Sequence, residues 1–205
     1  MKNEYIWSES GLSSTLKLLM PKIEKFFLSK ISSNSKILDA GCGTGYLTNW
    51  LGKKGYSTIG VDGSEAGINL AKKNKNINVD FVYSDLEKLD EKYYNKFDAV
   101  FCVEVIEHSF APRTLLNSLE KMTKKNGYVF ISTPYHGYLK NLLIALLGRF
   151  DEHFTSLWDF GHIKFFSKKT LTKLIKEKNF KIVKYGTVGR TFFLWKSMFF
   201  IIKKI

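Results

Sequence analysis

The chain has 205 residues, two cysteines and a formal charge of +13, which is enough for one domain with a single sizeable core and too few cysteines for a disulfide framework. Its hydrophobic share of 44% beside 25% charged residues belongs to a folded globular protein and excludes a disordered chain. The start, MKNEYIWSES, lacks the apolar stretch of a secretory leader, and no run of about 18 apolar residues offers a membrane span, so a cytoplasmic protein is expected.

Leu12, Leu16, Leu19, Ile23 and Phe26–Phe27 recur at helical spacing and predict a helix over 10–29. With Tyr5 and Trp7 ahead of it, residues 1–30 read as an N-terminal helix and a flap over a pocket. A strand is expected at 36–40, and a helix at 46–54 that stops at Gly55. STIGVD, 57–62, is a second strand, and Ser64 caps a helix through residue 73. Further strands are expected at 77–85 and 96–106, the latter apolar on both faces. Pro112 opens a helix that Asn126–Gly127 ends, and 128–133 is a fifth strand.

After Pro134 the alternation breaks. Residues 135–166 predict a helical and aromatic insert on the substrate side. Within it, 138–150 is strongly apolar with Lys140 and Arg149 at its ends, which suits a lid over a hydrophobic substrate or a surface helix that meets a membrane. Helical spacing returns at 167–178, and 180–186 is a sixth strand. The tail, 194–205, reads as a last strand paired antiparallel at the sheet edge. Strand and helix thus alternate through a single domain spanning 1–205, the pattern of a doubly wound, mainly parallel α/β sheet.

The stretch ILDAGCGTGYL, 37–47, puts glycines at alternate positions just after the first strand. Such a turn lies at the carboxyl end of the sheet, where ligands of doubly wound folds bind, and glycine lets backbone come close to them. Asp62 ends the second strand, placed to accept bonds from ribose hydroxyls, and Asp85 ends the third, placed for an adenine amino group. These positions point to an adenosine-type ligand. Gly41-Cys42-Gly43-Thr44-Gly45 is one residue tighter than the dinucleotide fingerprint, and Asp39 stands before it. A carboxylate there would repel a pyrophosphate but suit the cationic end of S-adenosylmethionine, which favours the methyl donor over NAD.

LDAGCGTG, GVDGS, YSDLEKL, FDAVFCVEVIEH and NGYVFISTP, in that order, resemble the successive motifs of class I S-adenosylmethionine-dependent methyltransferases. The resemblance is nearest to the ubiquinone-biosynthesis O-methyltransferase type and its relatives that methylate sugars and other small molecules. It is strong over 36–134 and looser at 161–175 and 189–198. It implies a Rossmann-like seven-stranded sheet whose last strand is antiparallel. It also implies that Asp39, Gly41 and Gly43 line the methionine end, that Asp62 holds the ribose and that Gly63 lies near the adenine. Asp85 and the Leu86 backbone would face the ring, and Cys102 and Val103 would close the pocket beneath the sulfonium. S-adenosylhomocysteine would be the product.

Methyl transfer needs an oxygen nucleophile aligned with the methyl group and a base to take its proton, and histidine suits the second task. Of the four histidines, His108 follows the fourth strand beside Glu107 on the crevice side, and His162 lies in the aromatic insert; these three are the catalytic candidates, with His136 and His153 behind them. Glu104, Glu107 and His108 form E-x-x-E-H, which can hold Mg²⁺ or a similar ion and resembles a motif of small-RNA 2′-O-methyltransferases; a metal-free site is nonetheless expected. The positive charge is nearly all scattered lysine, with arginine only at 113, 149 and 190, so nucleic acid is not the expected partner. The expected reaction is O-methylation of a small-molecule acceptor, a quinol precursor or a sugar. The alternatives are an RNA methyltransferase and a non-catalytic nucleoside-binding module.

Overall fold

Alternate side chains of the central strands feed two different hydrophobic layers. In strand β1 (Lys36–Ala40), Ile37 joins one layer while Leu38 and Ala40 join the other. Strand β4 (Phe97–Val103) repeats this, with Ala99 and Phe101 on the first side and Val100 and Cys102 on the second. A strand covered on both faces loses the polar half of its pattern, which explains the near-continuous apolar runs in the sequence. The structure is a computed structural model that describes residues 12–154 and 156–205. The expected flap residues Tyr5 and Trp7 lie outside the described residues.

Seven strands form one sheet in the order β3-β2-β1-β4-β5-β7-β6, where β2 is Ser57–Asp62, β3 is Val79–Tyr83, β5 is Thr123–Pro134, β6 is Phe180–Val188 and β7 is Ser197–Lys204. The first five strands pair in parallel, and β7 is antiparallel to both of its neighbours. Helices α1 (Ser14–Lys22) and α2 (Tyr46–Lys53) cover the first layer; α4 (Pro112–Met122) and α7 (Lys168–Lys176) cover the second. Helix α3 (Glu65–Lys73) packs Ile68 and Ala71 on β3. The high phenylalanine content has a place here. Phe27, just after α1, meets Phe101 at 4.6 Å and Phe130 at 5.7 Å between ring centres, and Phe130 stacks on Phe199 at 5.4 Å. Such pairs add about 0.5–1.5 kcal/mol each beyond their burial.

Four expectations are corrected. The tail strand β7 is not at the sheet edge. It lies between β5 and β6, its backbone pairing antiparallel with both; β6 is the edge. Helix α4 ends at Met122, not at Asn126–Gly127. Thr123 turns extended, its hydroxyl donates to the Leu119 carbonyl, and its backbone pairs with Phe97. Strand β4 stops at Val103, because Glu104 takes a left-handed φ of 55°. The first helix is regular only to Lys22 and continues as a wider turn over Ile23–Phe27, just past Pro21, which has no N–H to donate. No helix among the described residues is long and apolar enough to cross a membrane.

Candidate functional site

At the carboxyl end of β1 the chain makes a left-handed turn. Gly41, Gly43 and Gly45 have φ of 83°, 52° and 78°. Space excludes side chains as firmly as backbone does: a Cβ on Gly45 would lie 2.5 Å from the Phe81 ring and 2.9 Å from Ala71, and one on Gly41 would lie 2.3 Å from a Val105 methyl. The turn is fastened to the tip of β2. Asp62 accepts from the Gly43 N–H and the Ser64 N–H, each at 2.8 Å, one on each carboxylate oxygen. Asp39, 2% exposed, accepts from the Thr48 hydroxyl of α2 at 2.6 Å. Burial pushes the Asp39 carboxyl up to about 7, aided by the nearby Asp62 charge and opposed by the Thr48 bond. Asp62 is raised by burial too, against the two N–H bonds that favour its charge.

Beside this turn opens a cleft of about 520 Å³, lined among others by Gly63, Asp85, Leu86, Val105 and His108. A Cβ on Gly63 would meet nothing within 4 Å, so the backbone there is open to a flat ligand. Asp85 is exposed and caps a short turn, accepting from the Glu87 N–H at 2.8 Å. Asp39, Gly41, Gly43 and Asp62 adjoin the cleft without lining it, and Val105, packed on Gly41, is the wall between. Cys102 has no exposed surface and belongs to the second hydrophobic layer, with its thiol pushed up by burial; Val103 packs on the first layer. Neither lines the cleft.

The E-x-x-E-H motif is split by the fold. Glu104 turns toward β5 and β7, where its Oε1 accepts from Ser132 and Ser197, each at 2.7 Å; burial raises its carboxyl to about 6 against these two bonds. Glu107, on the short turn Ile106–His108, has no exposed surface; its oxygens miss ordinary hydrogen-bond geometry, and the Thr133 hydroxyl is the neighbour that favours its charge. Burial holds its carboxyl well above the usual range, and the Glu104 charge adds to the effect. His162 Nε2 lies 3.9 Å from Glu107 Oε1, and the His108 and His162 rings meet at 4.9 Å. His108 Nδ1 sits 2.9 Å and 3.1 Å from the carbonyls of Phe160 and Gly161. Carbonyls only accept, so Nδ1 carries the proton and the Nε2 lone pair is left free. The ligand-capable atoms of Glu107, His108 and His162 lie within 4.8 Å of one another. The fold therefore replaces Glu104 with His162 in the set that could hold an ion.

The insert forms helices α5 (Tyr138–Leu146) and α6 (Phe150–Phe154). Its aromatic residues gather round the other histidines: His136, 7% exposed, contacts His153, Phe154 and Phe165. Lys140 does not serve as the basic end of an outward-facing helix. It is the one buried residue of α5, 4% exposed, and its Nζ donates to the Tyr135 carbonyl at 2.8 Å. Arg149 stays outside, paired with Glu152. The outward face instead exposes Tyr138, Leu139, Leu142, Leu143 and Leu146. Ser132, Ser197 and the inward Lys140 were not found by sequence reasoning. Only Lys140 left a signal, as the sole charged residue of Tyr138–Leu146.

Comparison with known proteins adds identity to this geometry. A family model described as a methyltransferase domain matches residues 13–185. The ubiquinone biosynthesis O-methyltransferase of Coxiella burnetii is 33% identical over 146 residues, 69% of this chain and 62% of that protein. The chain thus spans under two thirds of the length of that relative. The enzyme of the same description from Aliivibrio fischeri is 27% identical over 205 residues, covering 94% of this chain and 86% of its own. Among solved structures, the magnesium protoporphyrin IX methyltransferase of Synechocystis, with S-adenosylhomocysteine bound, superposes with a TM-score of 0.69 at 18% identity, over 95% of this chain and 88% of that one. A methyltransferase from Mesorhizobium loti gives a TM-score of 0.71 at 15% identity, over 91% and 97%.

Proposed function

The chain belongs to the methyltransferase-domain family, and from that premise we propose that it methylates a hydroxyl oxygen of a small molecule, a quinol precursor or a sugar, with S-adenosylmethionine as donor. One observation carries the reading: a left-handed glycine turn pinned to Asp62, beside buried Asp39, adjoins a cleft that holds Gly63, Asp85, Leu86 and His108. The donor supplies a methyl group already activated on a sulfonium. The protein's own tasks are to hold the donor, to align the acceptor and to take its proton. Asp62 has lone pairs beyond the two used on Gly43 and Ser64, and these receive the ribose hydroxyls. Asp85 and the Leu86 backbone face the adenine. Asp39, Gly41 and Gly43 meet the cationic end, and Cys102 and Val103 form the packing beneath. His108 takes the acceptor proton on Nε2, with His162 and Glu107 beside it. The relatives described as O-methyltransferases of ubiquinone biosynthesis support a quinol-type acceptor.

A second reading of the same three residues is favoured by the buried Glu107 carboxylate and the close His108 and His162 nitrogens. Here Glu107, His108 and His162 hold a divalent cation, which would lower the charge cost of an ionised acceptor hydroxyl. The experiment is transfer of a tritiated methyl group to catechols, hexoses and RNA, with and without a chelator. Label in a catechol or hexose is expected. Label in RNA alone would replace the small-molecule reading, and S-adenosylhomocysteine binding without any transfer would leave a binding module. Loss of transfer in the chelator, restored by added cation, would select the ion; full activity would select the base.

The exposed apolar face of α5 supports contact with a membrane surface, where a lipid-tailed acceptor would reside. Co-flotation of the chain with anionic phospholipid vesicles checks this. Leu142→Glu with Leu146→Glu should abolish flotation and leave S-adenosylhomocysteine binding unchanged; flotation undiminished by the double change would move the contact elsewhere.

A further inference from the structure

Glutamate is a costly residue at a left-handed position, because its Cβ crowds the backbone there. Glu104 nonetheless holds φ at 55° directly after β4. Glycine would fit that backbone without the crowding. What glutamate adds is a side chain long enough to reach across the sheet. Its Oε1 accepts from the Ser132 hydroxyl of β5 and the Ser197 hydroxyl of β7, each at 2.7 Å, and both serines are wholly buried. The Glu104 N–H is shared between the Ser132 carbonyl at 3.1 Å and the Ser132 hydroxyl oxygen at 3.2 Å. Backbone and carboxylate of one residue are thus fastened to two strands beyond its own.

The residues that depend on this fastening come next in the chain. Val105 packs on Gly41 and walls the cleft, and Glu107 and His108 follow on the short turn Ile106–His108. The turn's own bonds run from the His108 N–H to the Val105 carbonyl at 3.0 Å and from the Ser109 N–H to the Ile106 carbonyl at 3.3 Å. Its far side is held by residues 160–164. The carbonyls of Phe160 and Gly161 face His108 Nδ1, and the N–H groups of Ile163 and Lys164 donate to the Glu107 carbonyl at 3.0 Å and 2.9 Å. A turn this short takes its direction from the residue that launches it. Were position 104 to relax out of the left-handed region, the chain would leave β4 along another line and the His108 ring would slip from its two carbonyls.

We infer that Glu104 is a positioning residue for methyl transfer: tethered to Ser132 and Ser197, it holds the left-handed exit of β4 that aims His108 into the cleft. The inference rests on the methyltransferase reading above. It gives the first acid of E-x-x-E-H a task separate from holding an ion. Glu104 acts through His108 and touches neither donor nor acceptor.

The test compares Glu104→Gln, which keeps an oxygen for both hydroxyls, with Glu104→Gly, which suits the left-handed backbone but cuts the tether. Tritiated methyl transfer to catechol or a hexose, whichever the parent chain labels, should fall on the order of a hundredfold in the glycine variant, the loss that a misplacement of about 1 Å brings. The glutamine variant should stay close to the parent. The S-adenosylhomocysteine Kd should hold in both, because Asp62 and Asp85 stand at the ends of other strands. Long-range proton–nitrogen NMR of the imidazole needs no acceptor. It should show His108 protonated at Nδ1 in the parent and the glutamine variant, and a mixture of tautomers in the glycine variant. Without the carboxylate, the Ser197 hydroxyl still has the Thr133 carbonyl at 2.8 Å to donate to. Should the glycine variant fail to fold, Ser132→Ala with Ser197→Ala cuts the same tether from the other side and is expected to give the same two changes. An untethered chain that transfers at the parent's rate, or that loses transfer with His108 still held in one tautomer, would overturn the inference. So would a glutamine variant as inactive as the glycine one. A parent chain that binds no S-adenosylhomocysteine would instead undo the donor reading, and the NMR comparison would still judge the tether.

Discussion

S-adenosylhomocysteine is expected to bind the Asp62→Ala variant about a hundredfold or more weakly than the parent chain. Two losses combine. Hydrogen bonds to a charged carboxylate contribute about 1.5–3 kcal/mol each, and the ribose would forfeit its acceptors. The glycine turn would also come loose, because Asp62 is what its Gly43 N–H donates to. Asp62→Asn separates the two effects. It keeps an oxygen for one of the backbone N–H groups and should lose less than alanine does. Titration calorimetry measures both. Equal affinity of the alanine variant and the parent would remove Asp62 from the site, and with it the strongest support for an adenosine ligand.

The second large effect concerns Asp39 and pH. Its carboxyl ionises near 3.8 in an unfolded chain and near 7 in the folded one. A raised carboxyl pKa means that the unfolded state gives up its proton first as pH rises. Stability is therefore full below about 3.8, falls through the window up to about 7, and is level above it. At about 1.4 kcal/mol per unit the loss is roughly 4 kcal/mol. Asp39→Asn cannot ionise and still offers an oxygen to the Thr48 hydroxyl. The variant should match the parent in urea unfolding near pH 4 and exceed it by roughly 4 kcal/mol near pH 8. A difference that does not grow with pH would show that Asp39 ionises normally. On the proposed reading, a cationic donor held against Asp39 would recover this cost, so a carboxylate that weakens the empty fold would strengthen binding.

Much of the fold was legible because it rests on local rules. The β1 and β4 runs are apolar except at Lys36, Asp39 and Asp98, the pattern of a strand buried on both faces. Ser64 was readable as a cap, and its hydroxyl does accept from the Gly67 N–H. The errors share a cause. Whether β7 is an edge or an inner strand depends on what lies beyond it, and residues 197–204 carry no mark of that. The end of α4 was missed because the Asn126–Gly127 turn is a strong local signal, whereas the pairing of Thr123 with Phe97 is distant in sequence.

The sequence by itself determined the alternation of strands and helices, the glycine turn and the three acids at strand ends, because each follows from backbone geometry or from periodicity within a few residues. Tertiary structure alone decided the pairings of polar groups. E-x-x-E-H reads as one cluster along the chain, yet a left-handed residue at 104 sends that carboxylate to Ser132 and Ser197 while Glu107 meets His162. Lys140 reads as the rim of an apolar helix, yet it points inward. Charges act over distances in space that the chain reaches only after it has folded, so their partners cannot be counted off along it.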